Sequence, residues 1–130
     1  MTQHNNTSLY QPEIETLSRN DIHAVQLEKL KKQVAMVYEK VEWYRNKMDE
    51  MGVSPSDIQT LEDVKKLPFT DKTVLRDTFP YGLFAVPLDE IIELHASSGT
   101  TGKPIVVGYT HHDICLLYTS PSPRDRSLSR

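Results

Sequence analysis

Cysteine is nearly missing from this chain, with Cys115 the single example in 130 residues. One thiol excludes both an intrachain disulfide framework and a zinc site built from cysteines. Long apolar runs are missing too, and nothing approaches the ~18 consecutive apolar residues of a membrane-spanning helix. Nor is there an excess of positive charge, since 15 Lys plus Arg stand against 18 Asp plus Glu, a net of -3. Without clustered cations to neutralise phosphates, a nucleic-acid partner is not expected. The polar opening at residues 1–8 lacks the basic and apolar regions of a secretory signal. These absences predict a cytoplasmic protein with neither a membrane nor a nucleic acid as partner, and they leave the oligomeric state unknown.

What is present is ordinary. A composition of 38% hydrophobic and 25% charged residues suits a globular fold, and the length suits one modest domain. From Asp21 to about Lys47, apolar residues at Ile22, Val25, Leu30, Val34, Val37, Val41 and Tyr44 recur at helical spacing, which predicts one long amphipathic helix. Asn20 or Asp21 can cap its start, and Gly52 lies where the pattern ends. Lys29, Lys31 and Lys32, flanked by Glu28 and Glu39, read as a solvated face of that helix. Tyr38, Trp43 and Tyr44 are expected to pack the helices together.

Thr60 followed by Asp63 predicts a capped short helix over Leu61–Leu67, ended by Pro68, and Thr70 opens another, limited by Pro80. After Tyr81-Gly82 the period changes to two. Over 90–96, Ile92, Leu94 and Ala96 alternate with Ile91, Glu93 and His95, which predicts a strand. Ile105 to Tyr109 predicts a second. Thr110 with Asp113 three residues on predicts the cap of a further helix. The fold class is therefore α/β. A polar extension (1–19) and a helical subdomain (20–80) lead into the first strands of a larger domain (81–114).

The last sixteen residues show no periodicity. Cys115 to Asp125 resembles the one-frame translation of a transposon-based sequencing-library adapter, and Ser129-Arg130 fit the adapter segment after the index. Residues 115–130 are thus expected to be a non-native tail. Without its three Arg and one Asp, the net charge of the remainder is -5.

The segment that carries chemistry is Ser97-Ser98-Gly99-Thr100-Thr101-Gly102-Lys103. Binding a polyphosphate takes inward-turned amides, hydroxyls able to reach several oxygens and a cation beyond them. Gly99 and Gly102 permit the backbone conformations, four hydroxyls come from Ser97, Ser98, Thr100 and Thr101, and Lys103 supplies the charge. Pro104 holds the exit extended. The pattern is not a Walker A loop, which requires glycine at 97, Ser or Thr at 104 and a helix after the lysine. Taken bare, such a segment is more often an ordinary hydrophilic hairpin loop or linker. His111, His112 and Asp113 read as a polar first turn in preference to a metal site, because adjacent helical residues diverge. His95 is open between a ligand contact and a structural hydrogen bond.

The run from His95 to Pro104 resembles the phosphate loop of adenylate-forming enzymes. Phe69-Thr70 with Lys72, Leu75-Arg76-Asp77, Tyr81 to Pro87, Val106 to Thr110 and the aromatic element in Val41 to Arg45 are similar to the phenylacetate-CoA ligase family. The likeness covers nearly all of Asn20 to Ile114. It implies a two-step reaction: an aryl carboxylate attacks the α-phosphate of Mg-ATP to give an acyl-adenylate and pyrophosphate, and coenzyme A then displaces AMP. It also implies that Ser97 to Lys103 hold the β- and γ-phosphates. No general base is implied, because a carboxylate is already ionised at neutral pH. The family's aryl-acid pocket, its Mg-binding acid and its mobile lysine lie beyond such a loop. No catalytic or metal-binding residue is therefore expected in this chain, and the 130-residue piece alone is expected to be inactive. Other adenylating enzymes, acting on another carboxylate or a redox cofactor, and a non-catalytic helical binding module are the alternatives.

Overall fold

In a computed structural model, residues 11–98 and 102–119 are described. After a short helix α1 (Pro12–Glu15), the chain forms α2 (Arg19–Lys40) and α3 (Glu42–Glu50). The predicted single helix is thus broken at Val41, which is extended (φ -112°, ψ 105°) and 1% exposed. Burial explains the break. On a straight helix, Val34 and Met48 would lie about 21 Å apart along the axis. In the fold both join one core with Ile58, edged by Leu30, Tyr38, Val53 and Leu67. Turning the chain at Val41 brings Met48 back onto α2, and Met48 and Ile58 become fully buried. Tyr38 fastens the elbow by donating its hydroxyl proton to Asp49 Oδ1 at 2.8 Å. Trp43 and Tyr44 meet edge-to-face with centroids 5.0 Å apart.

Caps follow the chemistry expected, with shifts in position. The cap of α2 is Ser18 and not Asn20 or Asp21: Ser18 Oγ accepts from the Asp21 amide (3.3 Å) and donates to the Asp21 carboxylate (2.6 Å). Gly52 ends α3 with φ 67°, as expected, and the Val53 amide reaches back to the Met48 carbonyl. The short helix expected over Leu61–Leu67 is present at Leu61–Lys66, with 3-10 geometry. The Asp63 carboxylate accepts from the amides of Thr60 and Gln59 and from the Thr60 hydroxyl, which pulls the chain tight over a segment too short to need α geometry. Helix α4 (Lys72–Asp77) is capped by Asp71, one residue past the expected Thr70, through bonds from the Thr73 and Val74 amides. Aspartate reaches these donors while carrying the charge that a helix N-terminus favours. The exposed Lys32–Glu28 pair on α2 is the solvated face anticipated.

Strands β1 (Ile91–Ala96) and β2 (Val106–Thr110) pair antiparallel, with Leu94 opposite Gly108 and Ala96 opposite Val106. An irregularity falls between Ile91 and Glu93. Helix α5 (His111–Thr119) follows at once, capped as expected by the Thr110–Asp113 box. It runs past Ile114 to Thr119, whereas no regular element was expected from Cys115 onward. A capped first turn supplies the costly nucleus, and Leu116 and Leu117 are good helix formers that extend it. No helix among the described residues is long and apolar enough to cross a membrane.

Candidate functional site: a polyphosphate loop on a hairpin

The loop lies in the connection between β1 and β2, at the turn end of the hairpin. Of its seven residues the structure describes Ser97, Ser98, Gly102 and Lys103; Gly99, Thr100 and Thr101 lie outside the described residues. Ser97 closes the neck, its amide donating to the Ile105 carbonyl (2.9 Å) and its Oγ accepting from the Ile105 amide (3.1 Å). Gly102 has φ +138°, a conformation that side chains rarely adopt. An ideal Cβ there would meet nothing within 4 Å, so backbone geometry and not crowding requires the glycine. Ser98 leaves the neck on the β1 side, Gly102 and Lys103 return to it on the β2 side, and Ser98, Gly102 and Lys103 are all exposed.

Beneath the neck the hairpin is held by aromatic and ionic contacts. His95 pairs with the Glu93 carboxylate and stacks edge-on against Tyr109, with centroids 5.2 Å apart. The structural hydrogen bond open to His95 is thus present. Phe84 presses on Gly108 from the segment before β1 and stacks against Tyr81 at 5.2 Å. Sequence reasoning passed over both Gly108 and Phe84. A glycine within a β-branched strand was the available signal of a close approach. The cleft beside them, about 370 Å³, is lined by Leu75, Leu83, Phe84, Ile91 and Val106 among others.

A larger cleft of about 550 Å³ lies between α3 and the Phe69–Val74 segment and contains no residue of the loop. Phe69, 92% exposed, forms part of its wall. At the start of α5, Asp113 serves as the cap, and the bond from the Thr110 amide, followed by that from the Thr110 hydroxyl, holds its carboxyl below the usual range. His111 turns toward Cys115 on the next turn (3.6 Å).

Similar proteins give this geometry a context. A phenylacetate-coenzyme A ligase of Thermus thermophilus is 58% identical over 106 residues, which is 82% of this chain and 24% of that protein. Over that stretch this chain is homologous to phenylacetate-coenzyme A ligase. The enzyme of the same name from Aromatoleum evansii is 52% identical over 101 residues, 78% of this chain and 23% of the relative. Because the Thermus match leaves 24 of 130 residues outside it, any contiguous placement contains residues 25–106, and with them the loop. Among solved structures, a 2-hydroxyisobutyryl-CoA ligase in complex with its acyl-AMP and CoA superposes with a TM-score of 0.72 at 32% identity, over 78% of this chain and 23% of that one. The chain thus spans about a quarter of the length of these CoA ligases. No protein-family model matches it.

Proposed function

We propose that this chain is the N-terminal segment of a cytoplasmic AMP-forming acid-CoA ligase acting on phenylacetate or a close aryl acid. In this reading Ser97, Ser98, Gly99, Thr100, Thr101, Gly102 and Lys103 hold the polyphosphate of ATP. The observation that carries it is the loop between the hairpin's two strands, with Gly102 at positive φ and Lys103 after it, inside the stretch shared with a phenylacetate-coenzyme A ligase. Amides, hydroxyls and an ammonium are all donors, and they suit an anion. Their task is to stabilise charge gathering on pyrophosphate as the acid's carboxylate takes the α-phosphate. The loop contains no carboxylate, and no residue here is assigned to a magnesium ion. The adenylate then passes its acyl group to coenzyme A.

The segments 20–80 and 81–114 form, in this proposal, a helical subdomain and the beginning of the adenylation domain, with 115–130 a non-native tail. The acid pocket and the residues that drive thioester formation belong to the remaining three quarters of the enzyme. A purified 130-residue chain accordingly releases no AMP from ATP and acid; turnover in a coupled assay refutes that. In an enzyme carrying this segment with the full length of its relatives, Lys103→Ala lowers ATP–pyrophosphate exchange on the order of 100-fold. Unchanged exchange removes Lys103 from the site. A different acid is the second reading, favoured by the superposition on a 2-hydroxyisobutyryl-CoA ligase, and comparing exchange rates across carboxylic acids separates the two.

A further inference from the structure

The β1–β2 ladder runs to Ala96 and Val106, and one more pair, Ser97 with Ile105, lies where the loop departs. In an antiparallel pair of this hydrogen-bonded kind, two residues exchange both main-chain bonds. Ser97 gives the first, amide to Ile105 carbonyl at 2.9 Å. The return bond goes from the Ile105 amide to Ser97 Oγ at 3.1 Å. The last rung is therefore half main chain and half side chain. Serine hydroxyls make this kind of local substitution in turns, where the chain must change direction without leaving an amide unbonded. Pro104 precedes Ile105 and has no amide, so Ile105 is the last donor available on that side of the neck before the loop itself.

We propose that Ser97, besides belonging to the phosphate loop, is a positioning residue that aims it. This rests on the polyphosphate reading only in what the loop is aimed at. The Oγ atom holds Ile105, and so fixes the point and direction at which Ser98 leaves the sheet. Alanine at 97 leaves the Ile105 amide to turn to the main-chain carbonyl or to water, and either outcome redirects the departing chain. Threonine keeps the acceptor oxygen and suits an extended backbone.

The test is residue-resolved hydrogen exchange of the 130-residue chain at micromolar concentration, with wild type, Ser97→Ala, Ser97→Thr and Ser98→Ala compared. Ser97→Ala is expected to speed exchange at the Ile105 amide about two- to tenfold, Ser97→Thr to restore the wild-type rate and Ser98→Ala to leave it unchanged. In the same experiment, inorganic tripolyphosphate protects the Ser98, Gly102 and Lys103 amides in wild type and Ser97→Thr, and protects them severalfold less in Ser97→Ala. Exchange at Ile105 that does not respond to Ser97→Ala, or a threonine variant that behaves like alanine, overturns the proposal. Protection lost equally in the threonine and alanine variants also overturns it. If tripolyphosphate protects nothing in wild type, the polyphosphate reading falls, while the Ile105 rates still decide whether Ser97 latches the neck.

Discussion

Replacing Gly108 by alanine tests whether the hairpin is seated by a glycine-sized gap beneath Phe84. A Cβ at 108 would stand 2.6 Å from Phe84 Cε2, 2.8 Å from Cζ and 3.2 Å from Ile91 Cδ1. Carbon atoms in contact prefer about 3.5–4.0 Å, so the ring has to move by about 1 Å. Its stacking on Tyr81 resists that movement. Overpacking of this kind costs about 1–3 kcal/mol. In a Phe84→Ala background only the 3.2 Å approach to the flexible end of Ile91 remains, and Gly108→Ala becomes neutral or stabilises by up to about 0.5–1 kcal/mol, the ordinary gain of replacing glycine in a strand. The coupling between the two sites is then on the order of 1–4 kcal/mol, above the scatter for independent positions. The assay is a double-mutant cycle on the exchange rates of the β1 and β2 amides, with α2 amides as a control for global unfolding. A destabilisation by Gly108→Ala that is equal in both backgrounds refutes the contact as its cause.

Acid should loosen the caps before the core. The Asp63 carboxyl is held below the usual range by the bond from Lys66 first and by the Thr60 and Gln59 amides next, and the Asp71 carboxyl by the Val74 and then the Thr73 amide. Because their folded values are depressed, their contribution is complete above the unfolded value of about 3.9 and is lost as pH falls below it. Helical circular dichroism that is flat from pH 7 to 5 and declines below 4 is expected, and a decline centred near pH 6 contradicts the assignment. The exposed apolar side chains of the hairpin, Ile92 (56%) and Leu94 (50%) on β1 and Val107 (42%) on the opposite face of β2, should drive self-association of the isolated chain. Leu94→Lys should raise the monomer fraction in sedimentation velocity; an unchanged distribution places the association elsewhere.

The elements most readable in the sequence are those specified by contacts within four residues. The Thr60–Asp63 and Thr110–Asp113 boxes, Gly52 as a terminator and the two strands around the Ser/Thr/Gly loop all stand where local chemistry placed them. The break at Val41 was not readable, because it has no proline or glycine to announce it and its cause is Met48 finding Val34 and Ile58. The 3-10 geometry of Leu61–Lys66 and the shift of caps to Ser18 and Asp71 depend on small differences in reach between neighbouring polar side chains. At the loop, the sequence showed which residue types were present and gave all four hydroxyls one role. That Ser97 bonds across the neck depends on strand register, and register is fixed by how the two strands pair.

The elbow at Val41 also constrains how this segment can vary. Each residue added to or removed from α3 turns everything after it by about 100° about the helix axis. A single insertion between Val41 and Met48 would swing Met48 out of its buried site and draw a polar neighbour into it, and would carry Asp49 away from the Tyr38 hydroxyl. The stretch can therefore change its letters but not its count. Insertions and deletions are better borne on the far side of Gly52, where the chain has already left the helix.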